Sequence, residues 1–219
     1  MRRAVIAVTL AGVVAISAAG SILVLTQHNA GSRDTFEGAP QGPYRGSEPP
    51  GTNLLPTFSL PRVDGGGTVR SEQLRGRVVL TTFVDSACHD SCPIIVGILG
   101  RALHQLNGRE HSRVAALAFS VHPRVDTKAH VHRFLAERGA LGELDYLVAP
   151  TPVMTSVWKS FHVLPATETG NDNVHSADVR VFDRNGVWVS TLNVGADLSI
   201  ANLLHDIRTA LRAKPRPRR

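Results

Sequence analysis

Between about Asn53 and Leu211 the chain alternates between contiguous apolar runs and stretches whose apolar residues recur every three or four positions. Residues 77–84 (RVVLTTFV) and 113–121 (RVAALAFSV) are β-branched runs of strand length. Between them Ile95, Ile98, Leu99, Leu103 and Leu106 fall at helical spacing. Pro93 suits a first helical turn, which predicts Cys92 at the cap. Asp126 is placed to cap a second helix bearing Val131, Phe134 and Leu135, and a short strand follows around 145–148. Residues 178–182 and 187–192 flank Asp183-Arg184-Asn185-Gly186, a hairpin signal with the favoured Asn-Gly pair. Asp197 then opens a last helix with Ile200, Leu203, Leu204, Ile207 and Leu211 inward. This order predicts an α/β fold whose mixed sheet, parallel first and antiparallel at one edge, is flanked by helices on both faces. Chemistry in such sheets gathers at the carboxyl ends of the strands. The loop after the first long strand contains both cysteines.

The amino-terminal end has a different pattern. Residues 4–25 carry no charge, and a helix of that length would span about 33 Å, enough for a hydrocarbon core of roughly 30 Å. It reads as an uncleaved transmembrane helix. The competing reading is a cleaved secretory signal with Ser17-Ala18-Ala19 as its site, but the apolar run continues past that site to Leu25. Under either reading Arg2 and Arg3 stay inside and the domain is extracytoplasmic, on a single-pass cell-membrane anchor in the first case. The resulting expectation is an anchor over 1–28, a flexible Gly/Pro-rich linker over 29–52, one folded domain over 53–212 and a basic tail over 213–219.

Charge and composition narrow the function. The net charge of +6 looks like a nucleic-acid signal until it is divided. Five basic residues lie in 212–219 and two more are Arg2 and Arg3; setting these seven aside leaves −1. Nucleic acid is therefore not an expected partner. An apolar share of 42% in 219 residues excludes a chain disordered as a whole. Two cysteines exclude a disulfide framework and a four-cysteine zinc site, but suffice for one reactive pair.

Cys88-His89-Asp90-Ser91-Cys92-Pro93 supplies that pair. A helix amino terminus at Cys92 is expected to lower its pKa and favour thiolate. The three-residue spacing lets both sulfurs face one point, where they can close a disulfide or grip a metal ion. Two soft sulfurs favour Cu(I), with zinc the common rival, and leave open which side chain completes the site. Of the ten histidines, His104, His111, His130, His132 and His205 read as solvated helix residues, and His89 lies between the cysteines. His175 stands apart in Asn173-Val174-His175-Ser176, at the entry to the hairpin.

These elements together resemble the Sco/SenC copper-chaperone family. The resemblance rests on Leu55-Pro56-Thr57-Phe58-Ser59-Leu60, Gly65-Gly66-Gly67, the stretch from Leu74 to Leu80, Cys-x-x-x-Cys-Pro at Cys88–Cys92, Ser120-Val121-His122-Pro123-Arg124-Val125-Asp126-Thr127, and His175-Ser176 ahead of Asp183-Arg184-Asn185-Gly186. It implies a thioredoxin-like fold and a copper ion held by Cys88, Cys92 and His175. It also implies membrane-anchored delivery of copper to the binuclear copper site of a cytochrome oxidase subunit, or reduction of that site's cysteines. Delivery without catalytic turnover is the leading reading. The enzymatic alternative is a thiol–disulfide oxidoreductase using Cys88 and Cys92, and a plain stapling disulfide is the simplest structural reading. The sequence departs from the family at His122, where the family usually has Asp, and at Val84-Asp85-Ser86-Ala87, which lacks the usual aromatic and Thr-His character.

Overall fold

The computed structural model describes residues 42–163 and 178–214. The expected anchor and the last residues of the basic tail lie outside the described residues, as does His175. Among the described residues no helix is long and apolar enough to cross a membrane.

A five-stranded sheet organises the domain. The two β-branched runs form β3 (Val78–Val84) and β4 (Val114–Ser120), which pair in parallel with Val78 beside Val114 and Val84 beside Ser120. The short β5 (Asp145–Leu147) extends the parallel side. On the other side of β3 lies the antiparallel hairpin β6 (Asp178–Phe182) and β7 (Trp188–Asn193), so the spatial order is β5-β4-β3-β6-β7. Every residue of β3, β4 and β6 is buried, as both faces of a covered sheet require.

Alternation divides these strands between two cores. Leu80, Val84, Ala116, Ala118, Val179 and Val181 face α1 (Ser91–His104), α3 (Lys128–Glu137) and α5 (Ile200–Leu211). Val79, Phe83, Leu117, Phe119 and Phe182 face α4 (Thr151–Ser160), together with a small hairpin, β1 (Ser59–Pro61) and β2 (Thr68–Arg70), and a 3-10 turn at Ser71–Leu74. The second core is aromatic: Phe119 stacks on Phe83 at 5.2 Å and meets Phe58 edge-on at the same separation. A further one-turn helix, α2 (Gly108–His111), links α1 to β4.

Several local expectations shift. The cap of α3 is Thr127, whose side chain accepts from His130 N–H, and Asp126 is buried instead. Ser199, not Asp197, caps α5, and Asp197 accepts from Asn193 N–H. The hairpin turn closes between Gly186 N–H and Asp183 C=O at 2.9 Å, and of its residues only Gly186 has positive φ (+74°). A two-residue Asn-Gly turn needs positive φ at both positions, so Asn185 lies instead in a wider turn ended by a left-handed glycine. The Asp183 carboxylate holds it by accepting from Asn185 N–H and Val187 N–H.

The stretch assigned to a tether reaches the domain before residue 53. Asp206 of α5, fully buried, accepts from Arg45 N–H at 2.7 Å, Gly46 N–H at 3.1 Å and the Ser190 hydroxyl at 2.6 Å. Ser47 bridges to Thr191 on β7 and Leu54 to Val187, the residue just before that strand.

Candidate metal centre

Cys88 lies in the loop leaving β3 and Cys92 in the first turn of α1, so both sulfurs stand at the carboxyl end of the central strand. The cap residue is Asp90, which makes no side-chain cap bond; Cys92 is inside the helix, not at its cap. Both cysteines are thiols and both are buried, Cys92 completely and Cys88 with 8% of its surface exposed. The hydrogen bond between the two thiols, reinforced by burial, pushes Cys92 well above the ordinary thiol range. A backbone hydrogen bond from Asp85 pulls the other way and is outweighed. This reverses the expected lowering: a helix dipole cannot hold an anion at a sulfur that has lost its water. The pair is recessed, and Cys88 is the more exposed of the two residues.

Three anchors fix the loop. Asp85 caps its own turn, its carboxylate accepting from Ala87 N–H at 2.7 Å and its carbonyl from Cys88 N–H at 3.2 Å. The buried Asp126 carboxylate accepts from Ser86 N–H at 2.8 Å and from the Ser120 hydroxyl at 2.5 Å, and the Tyr146 hydroxyl lies 2.9 Å away. Burial raises Asp126 above the usual carboxylate range despite those donors. Tyr146 also lies 3.0 Å from Val84 C=O, tying β5 to the end of β3. The third anchor joins the two departures from the family pattern: His122 Nδ1 sits 3.1 Å from the Asp85 carboxylate. An aspartate at 122 would set two carboxylates against each other there, whereas a histidine supplies an N–H donor.

Sequence reasoning found the cysteines and His122 but missed the roles of Asp85, Asp126 and Tyr146. Asp126 carried a signal, its place in the Ser120–Thr127 stretch, but local capping rules pointed it toward α3. Other described histidines have surface positions or partners of their own. His89 is exposed, His104 and His111 flank Glu143 on the surface, His130 and His132 are exposed on α3, and His205 meets Pro43 C=O. Among the described residues no group of three or more His, Cys, Asp or Glu side chains is gathered to hold a metal ion. The donor set at hand is thus two sulfurs, which suit a soft ion and leave coordination to be completed.

His175 precedes β6 by three residues, and β6 starts beside the carboxyl-end half of β3, with Val179 opposite Thr82 and Asp178 C=O accepting from the Thr82 hydroxyl. Three residues reach at most about 11 Å.

The comparisons agree with this architecture. The SCO1/SenC family model matches residues 47–212. No curated protein matches the chain in sequence. Among solved structures, apo Sco1 from Thermus thermophilus is 21% identical, with 76% of this chain and 96% of that one covered and a TM-score of 0.62. ScoI from Bradyrhizobium japonicum with copper bound is 24% identical, with 73% and 100% covered and a TM-score of 0.57. BsSco, described as a member of the Sco family of cytochrome c oxidase assembly proteins and as having a disulfide switch, is 21% identical, with 76% and 98% covered and a TM-score of 0.62. At these identities the likeness is one of fold, here thioredoxin-like α/β.

Proposed function

The chain belongs to the SCO1/SenC family, and from that premise we propose that it is an extracytoplasmic, membrane-anchored metallochaperone that binds copper through Cys88, Cys92 and His175. Its acceptor is the binuclear copper site of cytochrome c oxidase. The observation that carries the reading is the pair of mutually hydrogen-bonded thiols at the carboxyl end of β3. Two neighbouring sulfurs in an apolar recess suit Cu(I), which replaces the thiol protons and leaves less net charge to desolvate than a divalent ion would. The copper-bound ScoI and the oxidase-assembly role stated for BsSco support the same cargo and destination.

The same thiols favour a second reading, a thiol–disulfide oxidoreductase. In that reaction Cys88 and Cys92 give up two electrons and two protons and close a disulfide, while the acceptor's disulfide opens to two thiols. Cys88, the more exposed sulfur, is the one placed to attack.

Copper titration of the full chain against Cys88→Ser, Cys92→Ser and His175→Ala separates the readings. A three-ligand site predicts that each substitution weakens copper binding by more than the roughly 10–100-fold that loss of a partner outside the ligand shell costs. Parent-like copper affinity in His175→Ala removes the histidine from the site. Rapid reduction of a disulfide substrate by a chain that retains no copper favours the oxidoreductase.

A further inference from the structure

Basic residues gather at the end of the sheet opposite the thiols. At that amino end of β3, Val78 pairs with Val114 and Val79 with Phe182. Four segments converge there: the turn around Gly76, α2, the hairpin turn over 183–187, and the last turn of α5 with the residues after it. They are stitched together: Arg184 Nε donates to Gly76 C=O at 3.2 Å, Asn185 Nδ2 to Lys214 C=O at 3.1 Å, and Arg208 Nε to the Glu110 carboxylate at 3.1 Å. These segments carry Arg75, Arg109, Arg184, Arg208, Arg212 and Lys214, all at least partly exposed. The acids within them are Glu110, which the hydrogen bond from Arg208 holds below the usual carboxylate range, and Asp183, buried in its own turn. Apart from Arg208, these basic side chains make no ion pair among the described residues. Basic residues at the ends of α2 and α5 offset the helix dipole, but Arg75 and Arg184 lie on no helix.

We propose that this basic pole is a docking surface for anionic lipid headgroups, which rests the domain on the bilayer with its cysteine end outward. The inference deepens the membrane-anchored reading and rests on it for a bilayer within reach. Two observations select lipid over an acidic protein surface. A protein interface has an apolar or aromatic centre, yet none of the large apolar side chains exposed among the described residues belongs to these segments; Leu54, bridged to Val187, borders them singly. A headgroup layer needs only distributed positive charge. The chain also enters the described domain against α5, where His205 Nε2 lies 2.9 Å from Pro43 C=O. The uncharged run over 4–25 therefore leads to the helix that ends in this pole. Orientation is the functional gain. The seven residues of β3 rise about 23 Å from the pole to the cysteine loop, so docking holds the thiols at about that height above the lipid and facing away from it.

The test is phenylglyoxal footprinting of arginines in the full chain, read by peptide mass spectrometry. The chain is reconstituted in vesicles of phosphatidylcholine alone and of equal parts phosphatidylcholine and phosphatidylglycerol. Arg184 is expected to react several-fold more slowly in the anionic vesicles, and raised salt is expected to restore its rate by screening the surface charge. Arg133, exposed on α3, is expected to react alike in both. Each basic residue removed from the pole is expected to weaken docking about fivefold. Arg75→Gln, Arg109→Gln, Arg212→Gln and Lys214→Gln together, all at exposed positions, are therefore expected to return Arg184 to its rate in phosphatidylcholine. Lys128→Gln on α3 is expected to leave the protection in place, and parent-like near-ultraviolet circular dichroism shows that the variants keep the fold. Equal reactivity of Arg184 in the two kinds of vesicle overturns the inference, as does protection that survives neutralising the pole. Failure of the anchor reading is seen separately, as a chain that alkaline carbonate strips from both kinds of vesicle. In that event salt-sensitive protection of Arg184 by the anionic vesicles still upholds the docking surface, and its absence overturns it.

Discussion

At Cys92 burial overrules the helix dipole. The first turn of α1 offers a positive potential to a sulfur fully buried from solvent, and the hydrogen bond with Cys88 keeps its proton in place. Copper binding at the proposed site therefore has to displace the Cys92 proton across the neutral range. Because the thiol's pKa is raised, the proton competes at every such pH, and Cu(I) affinity rises with pH by about tenfold per unit for this one proton. Chelator competition at several pH values checks this; a flat profile between pH 6 and 8 would mean that Cys92 is already thiolate. The cysteine spacing was legible in the sequence, but the sign of the pKa shift was not, since it depends on what packs against the sulfur from β3, β4 and α1. The same holds for Asp126. Capping rules see only the next few residues, whereas its partners come from Ser86, Ser120 and Tyr146 on three separate segments.

The helices and strands were more readable, because their periodicity is local. The two β-branched runs, the helix after the cysteines and the last helix all appear where the apolar spacing put them. The helix α4 was not among the expected elements, although Val153, Met154, Val157 and Trp158 form a helical stripe between two prolines at its start and a turn at its end. Pro150 is in fact the cap, and Pro152 lies in the first turn where its missing N–H costs nothing. Gly100, one of two glycines inside α1, shows the opposite tension between local preference and packing. A methyl group at Gly100 would lie 2.6 Å from Gly139 C=O and 3.1 Å from Ala140. Ala is the better helix former by about 1 kcal/mol, yet Gly100→Ala is expected to destabilise the protein by roughly 1–3 kcal/mol through overpacking. A urea midpoint unchanged or raised in that variant would show that α1 can move away from the turn at Gly139.

The assembled domain depends on a stretch that composition marks as linker. Residues 45–47 give their backbone N–H groups to Asp206 and Thr191, and Gly46 packs so tightly on Ser190 and Thr191 that no side chain fits. Gly and Pro content describes how a segment behaves alone, not whether a buried carboxylate awaits it. Asp206→Ala leaves Arg45 N–H, Gly46 N–H and the Ser190 hydroxyl without their acceptor, at about 1–3 kcal/mol for each that stays buried. The expected result is a lower urea midpoint together with new protease cleavage between residues 42 and 54. A lower midpoint without that cleavage would show that the bridges at Ser47 and Leu54 hold the segment unaided.

The path of this segment has a consequence for the company the protein keeps. After meeting β7 at Ser47, and the residue just before that strand at Leu54, the chain crosses to the far side of the sheet, where Arg62 bridges to Leu147 and Val63 N–H bonds Tyr146 C=O on β5. One continuous stretch of about twenty residues thus lies along both outer strands of the sheet. Exposed outer strands are templates on which further chains add. By occupying parts of both, the stretch restricts strand-to-strand association between neighbouring copies and guards the flanks of the sheet against polymerisation, leaving its cysteine end unencumbered by such stacking.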